Sequence, residues 1–394
     1  MRLTVVIVNY NVMHYLDQCL RSVMRASQGL DVECVVVDNA SSDGSVAYLR
    51  PLYPSVRFIE NSENSGFSCA NNIAVAQASG DIILLLNPDT FVSENLFRDV
   101  LSFMAIHPDA GGVGVRMLGS NGAFALESRR GVPTPFTSFC KMAGLGKLFP
   151  KSHLFGRYYM QYLDPDQVSP IEIMSGACMF VRMSYLTDEE FLDESFFMYG
   201  EDIDLSYRLL LAGGTNYYLP LHILHYKGES TKKHSLRYVN AFYQAMLIFF
   251  RKHFSKYGVL LSLPVYLAIY AKACYTYIVQ QIKYVSHIGR STEYYVRRKH
   301  LLLVGSHDNM NGMKELCQSH SVSFLSVETE RPDVIPDGLD EEIRKGVDYV
   351  VFDTDTFSYN KILEVMEHLH DAGISVSVGT WQPGKIITDA IVLC

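Results

Sequence analysis

A chain of 394 residues, 48% of them hydrophobic, can bury a large core and is long enough for two or more domains. Its 34 basic and 42 acidic side chains leave a formal charge of -8, which argues against a nucleic-acid partner that would need a strong positive field. The eight cysteines (Cys19, Cys34, Cys69, Cys140, Cys178, Cys274, Cys317 and Cys394) show no CxxC or zinc-knuckle spacing, and several sit in apolar runs as reduced thiols would in a cytosolic setting.

The start, Met1–Asn11, reads as a strand ending in polar residues, without the longer apolar core and cleavage site of a signal peptide. Thr4–Val8 is a buried strand, and Val12–Arg25 a helix with Tyr15, Leu16, Cys19, Leu20 and Val23 on one face. Cys34–Val37 is a second strand ending at Asp38, and Asn39–Gly44 carries turn and helix-start residues. Val56–Glu60 is a third strand, Cys69–Ala78 a helix, and Asp81–Leu86 a fourth strand running into Asn87, Pro88 and Asp89. Strands separated by helices predict a parallel sheet covered on both faces, with ligands beyond the carboxyl ends of the strands. Asn9, Asp38, Asn61–Asn64 and Asn87–Asp89 all fall at those ends, so four polar clusters converge on one edge.

From Lys227 to Lys256 the chain is basic: Lys227, Lys232, Lys233, Arg237, Arg251, Lys252 and Lys256 stand against one acid, Glu229. The apolar, aromatic stretch Tyr257–Val285 follows, and its longest charge-free run, Gly258–Ala271, is shorter than the ~20 residues a spanning helix needs. Two readings fit it, a helix lying on a membrane surface or a buried helix between domains, and the adjacent basic cluster favours the first. Beyond Arg297, strands at Leu301–Val304, Asp348–Phe352 and Ile374–Val378 and a helix at Tyr359–Asp371 predict a small α/β unit, with no GxGxxG behind its first strand.

Three clusters point to chemistry. Asp89, a carboxylate ending a buried strand, suits a turn or helix cap, or a ligand for Mg2+ or Mn2+, hard cations that take few protein carboxylates together with phosphate oxygens. Glu201, Asp202 and Asp204 open a helix predicted over Asp202–Ala212, where the dipole favours acids, but three acids after an aromatic run and a glycine exceed what capping requires. Transfer of a group to a hydroxyl needs one base to take the hydroxyl's proton; Asp202 is the candidate, with Glu201 and Asp204 placing it or binding acceptor hydroxyls. His225 sits beside Gly, Ser, Thr and lysines, a composition suited to a metal or a diphosphate, and Lys232 or Lys233 could cover the leaving group; the alternative is a solvated basic loop.

Val6–Asn11, Val36–Ser45, Glu63–Asn72, Leu84–Thr90, Ser175–Arg182, Gly200–Arg208 and His225–Ser230 stand in one order. Together they resemble a family 2 glycosyltransferase of the GT-A fold, near the bacterial rhamnosyltransferase-like branch, over residues 1–250. The resemblance implies an inverting, metal-dependent transfer in one displacement. It places Val8 and Tyr10 in the nucleotide pocket, Asp38 on the base or ribose, and Asn64, Gly66 and Asn72 around the same pocket. Asn87 and Asp89 stand where the family has Asp-x-Asp, leaving Asp89 to carry the metal largely alone. Gly176 and Ala177 would let backbone approach the donor sugar, Asp202 matches the base, and His225 matches the metal- or diphosphate-binding histidine. Arg129 and Arg130 are further substrate contacts to test.

The expected organisation is a GT-A domain over 1–250, membrane-surface helices over 251–296 and an α/β accessory unit over 297–394, the last similar to nucleotide-binding-like accessory domains of polysaccharide-assembly transferases and open to a regulatory, docking or dimerising role. The leading reading is transfer from a UDP- or dTDP-sugar to a hydroxyl of a lipid-linked saccharide in surface polysaccharide assembly, at the inner face of the cell membrane and with homo-oligomers open. The competing readings are a polyprenyl-phosphate glycosyltransferase, whose ionised acceptor needs no base, and a non-catalytic nucleotide-sugar-binding module. A Rossmann oxidoreductase lacks its glycine fingerprint.

Overall fold

The computed structural model describes residues 1–186, 190–226, 236–254 and 299–394. Its strands are β1 (Leu3–Asn9), β2 (Val32–Asp38), β3 (Val56–Glu60), β4 (Ile82–Leu86), β5 (Thr90–Val92), β6 (Ala110–Leu118), β7 (Ser169–Ile171), β8 (Cys178–Arg182) and β9 (Thr215–His225), followed by β10 (His300–Gly305), β11 (Ser323–Glu328), β12 (Tyr349–Asp353), β13 (Ser377–Gln382), β14 (Lys385–Ile387) and β15 (Val392–Leu393). Among the described residues they form two sheets, β3-β2-β1-β4-β8-β6-β9-β5 with β7 on β9, and β11-β10-β12-β13-β14-β15.

The first four strands run parallel, β1 between β2 and β4. Their apolar runs are continuous because both faces are covered. Val5 and Ile7 of β1 join one core, with Leu16, Leu20 and Val23 of the helix Met13–Ala26. Val6 and Val8 join the opposite core, with Ala70 and Ala74 of the helix Phe67–Val75. Successive side chains of a strand point to opposite faces, so an uninterrupted Val/Ile run needs a layer on each side. Past β4 the sheet is mixed: β8 opposes both β4 and β6, β6 runs parallel to β9, and β5 and β7 oppose β9. These reversals follow from excursions of the chain, not from local propensity.

The second unit matches the expected strands near 301–304 and 348–352 and the helix Tyr359–Asp371. The strand expected at Ile374–Val378 begins only at Ser377, because Gly373, at φ +70°, ends the preceding helix and a short connection carries buried Ile374 and Val376 to the sheet. The helix His307–Ser319 and the edge strand β11 complete it.

The two units share one apolar core. Val12, Tyr15, Phe91, Leu118, Leu224 and Tyr226 of the first pack with Leu302, Val304, Phe352, Phe357 and Ile362 of the second. Polar ties cross the same boundary. Tyr15 donates to the Thr388 carbonyl at 2.8 Å, and the Lys385 ammonium meets the Asp17 carboxylate at 2.5 Å with both side chains nearly buried. Glu94 accepts the backbone N–H groups of Tyr359 and Asn360, each at 2.9 Å, so a carboxylate of one unit caps the positive end of a helix in the other. Of the expected 251–296 segment, 251–254 ends the helix Leu236–Phe254; Tyr257–Val285 lies outside the described residues.

Candidate functional site

A cleft of about 450 Å³ opens at the carboxyl ends of β1, β2 and β4. Val8, Tyr10, Asn64, Gly66, Asn87, Asp89, Gly176, Ala177, Glu201, Asp202 and His225, all singled out in the sequence, line it. Three others stand behind its wall. Asp38 is buried, accepting from Asn9 Nδ2 at 2.7 Å and from the Ser41 N–H at 2.9 Å, which shapes the loop after β2. Asn72 donates to the Leu192 carbonyl at 2.8 Å and to Glu194 at 3.0 Å, pinning that loop. Asp204 is fully buried in an ion cluster, 2.8 Å from Arg208 Nε, 2.7 Å from His253 Nε2 and 3.0 Å from Lys252 Nζ. Burial opposes its ionised form, but the hydrogen bond from His253 and the charges of Arg208 and Lys252 win and hold its carboxyl below the usual range. Lys232 and Lys233 lie outside the described residues.

The ladder that pairs Thr90 with His225 brings the metal candidates together. Tyr226 N–H donates to the Asp89 carbonyl at 3.0 Å, and His225 Nε2 lies 3.3 Å from Asp89 Oδ1 and 3.4 Å from Asn87 Nδ2. Asp89 is 2% exposed, so its carboxylate is fixed within the wall. Among the described residues no group of three His, Cys, Asp or Glu side chains that could hold a metal ion comes together. A pair of this kind fits Mg2+ or Mn2+ bound with substrate phosphate oxygens and does not fit an all-protein cage.

Asp202 occupies the first turn of the helix Glu201–Leu211. Its Oδ2 accepts from Arg130 Nη2 at 2.5 Å and from the Gly176 N–H at 3.2 Å, and its Oδ1 from the Ile203 N–H at 2.8 Å. Gly176 eases this approach, because a Cβ there would lie 3.1 Å from Asp202 Cβ and press on the carboxylate's position. Arg130 also donates to the Met174 carbonyl at 2.5 Å, so it holds the Asp202 carboxylate from a fixed anchor. Burial pushes the Glu201 carboxyl up to about 8, and the neighbouring Asp202 charge adds to the effect. Arg129 faces away from the cleft, donating to the Leu163 and Asp164 carbonyls with its guanidinium against Phe124 and Tyr218.

On the opposite side, Gly66 adopts φ +87°, and a Cβ there would lie 2.7 Å from the Phe197 ring and carbonyl. The Phe67 N–H donates to that carbonyl at 2.7 Å, joining the loop after β3 to the one preceding Glu201. Asn39, absent from the candidate residues, links the loops by donating to Asn64 Oδ1 and the Gly66 carbonyl at 3.0 and 3.1 Å. Its place right after β2 was the available signal. Lys141, Tyr158 and Tyr159 also line the cleft, with the Lys141 ammonium 3.5 Å from the centre of the Tyr158 ring. No spacing pattern marks them, since they arrive on an excursion between β6 and β7.

Residues 4–186 match the model of glycosyl transferase family 2. An N-acetylglucosaminyl-diphospho-decaprenol L-rhamnosyltransferase of Mycobacterium tuberculosis is 29% identical over 259 residues, 63% of this chain and 83% of the relative. The rhamnosyltransferase WbbL of Escherichia coli is 31% identical over 174 residues, 41% of this chain and 61% of that protein. Among solved structures, residues 1–349 of TarS from S. aureus are 20% identical with a TM-score of 0.43, covering 63% of this chain and 64% of that one.

Proposed function

We propose that this chain, a glycosyltransferase with a family 2 domain over residues 4–186, moves a sugar from a nucleotide-diphosphate donor to a hydroxyl of a lipid-linked saccharide, with inversion at the transferred carbon. The observation that carries the reading is the Asp202 carboxylate, oriented by Arg130, Gly176 and Ile203, in a cleft that Asp89 and His225 also line. The acceptor oxygen attacks the anomeric carbon, its proton passes to Asp202, and the bond from that carbon to the diphosphate breaks. One carboxylate suffices for a single displacement, and no covalent nucleophile is needed. Burial and the Asp202 charge both disfavour a second negative charge on Glu201 beside the base. Asp89 and His225 would hold a divalent cation, which supplies charge for the departing diphosphate. Val8, Tyr10 and the Asn39–Asn64 link shape the side on which a nucleotide would rest. The names of the two bacterial relatives favour a deoxyhexose such as rhamnose as the transferred sugar, and the first names a diphospho-decaprenol acceptor.

Thermal shift with a panel of nucleoside diphosphates, with and without Mn2+, tests the donor site. Stabilisation rises with ligand concentration over Kd, so dTDP or UDP should raise Tm in a metal-dependent way. Absence of any shift in folded protein would overturn the donor site and leave the fold without its proposed substrate.

A further inference from the structure

From Ser128 to Leu163 the chain has six basic residues (Arg129, Arg130, Lys141, Lys147, Lys151 and Arg157) and no Asp or Glu. At the average acid density of this chain, 42 in 394, those 36 residues would carry about four. The segment forms the helix Pro135–Met142, the short turn of helix Leu145–Leu148 and a return made of successive turns. Its outer side is apolar: Phe136, Phe139, Leu148, Phe149 and Leu154 are between 49% and 71% exposed. Phe136 and Phe139, three apart, share one face of their helix, and the Phe149 ring lies 5.7 Å from that of Phe155. Lys147 and Lys151 are exposed among these side chains. Exposed aromatic and aliphatic groups clustered in a soluble domain mark a contact surface.

We propose that residues 135–155 dock this protein on an anionic lipid surface, with the five apolar side chains entering the headgroup boundary and Lys147 and Lys151 facing lipid phosphates. Charge decides the occupant. A second copy meeting this face across a two-fold axis would set two basic patches without an Asp or Glu against each other, whereas an anionic bilayer complements them. The contact is peripheral as far as the described residues go, since none of their helices is long and apolar enough to cross a membrane. The inner side of the same segment supplies Lys141, Tyr158 and Tyr159 to the cleft, so docking sets the acceptor side of the cleft against the bilayer. This purpose rests on the transferase reading, because a lipid-carried acceptor would then reach Asp202 without leaving the membrane.

The test is co-sedimentation of the full chain with vesicles of phosphatidylcholine, alone or with one-third phosphatidylglycerol. Leu148→Ser/Phe149→Ser and Lys147→Glu/Lys151→Glu should each lower partition onto the anionic vesicles about tenfold or more. Both should keep the wild-type Tm and nucleotide response. Wild-type partition by both variants would overturn the surface. So would a concentration-dependent dimer that both variants dissolve while vesicle binding persists, since the occupant would then be a second copy. Vesicle binding that the variants abolish, in a protein blind to every nucleotide, would keep the surface and remove the transferase reading.

Discussion

Each sheet of this protein ends a buried strand near an aspartate at its carboxyl edge, and the two carboxylates have different surroundings. Asp89, just past β4, faces His225 and Asn87 in the wall of the cleft. Asp353, the last residue of β12, is enclosed by its own unit. It accepts from Thr356 Oγ1 at 2.6 Å, Asn309 Nδ2 at 3.0 Å and the Asp355 N–H at 3.0 Å, beneath Gly305, where a Cβ would lie 2.7 Å from Asp353 Cβ. A strand-end aspartate in an α/β sheet is therefore a position and not yet a role. Donors arriving from the same unit make it a structural brace, and a wall open to solvent makes it available to a ligand.

Three measurements would break or sharpen this contrast. Asp202→Asn keeps the size of the side chain and should lower turnover by ~10²–10⁴, the range for losing a general base, while the nucleotide-induced Tm shift stays near wild type. Turnover within a few-fold of wild type would move the base elsewhere and revive an acceptor that arrives already ionised. In the second unit, Asp353→Ala should cost about 1–3 kcal/mol in chemical denaturation, because the buried hydroxyl of Thr356 and the half-buried amide of Asn309 lose their acceptor, and should leave nucleotide affinity alone. Weakened nucleotide binding in that variant would mean that the second unit reaches the donor site.

The third measurement concerns pH. The Glu201 carboxyl titrates higher in the folded chain than the ordinary value of 4.5, up to about 8, so the folded state binds a proton that the unfolded state releases across that window. Stability from this group is full below the ordinary value and declines as pH rises towards 8, with a slope of at most about 1.4 kcal/mol per pH unit. Glu201→Gln removes the proton exchange, and denaturation midpoints measured between pH 5 and 8 should show a flatter dependence. An unchanged slope would place the ionisation elsewhere.

What could be read in the sequence follows from where the information is local. The runs Leu3–Asn9, Val32–Asp38 and Ile82–Leu86 are apolar because both faces are buried, and the polar ends of the parallel strands fall together by topology, which placed Asn64, Asn87 and Asp89 at one edge, whereas His225 was marked by its polar neighbours. The edge strand Ser323–Glu328 escaped because it is half exposed and mixes polar with apolar residues. Lys141, Tyr158 and Tyr159 reach the cleft through tertiary contacts that leave no period in the chain. The position of Asp204 had a usable sign, since Arg208 lies one helical turn on, at the spacing of an intrahelical ion pair.

The apolar core shared by the two units also bears on how the chain unfolds. Phe91, Leu224 and Tyr226 contact Phe352, Phe357 and Tyr359 in one cluster, with the Phe91 and Tyr359 rings 4.9 Å apart, so neither unit completes its interior alone. Topology counts two sheets, but cooperativity should count one: melting the smaller unit strips cover from strands of the larger, and calorimetry should record a single transition in which both are lost together.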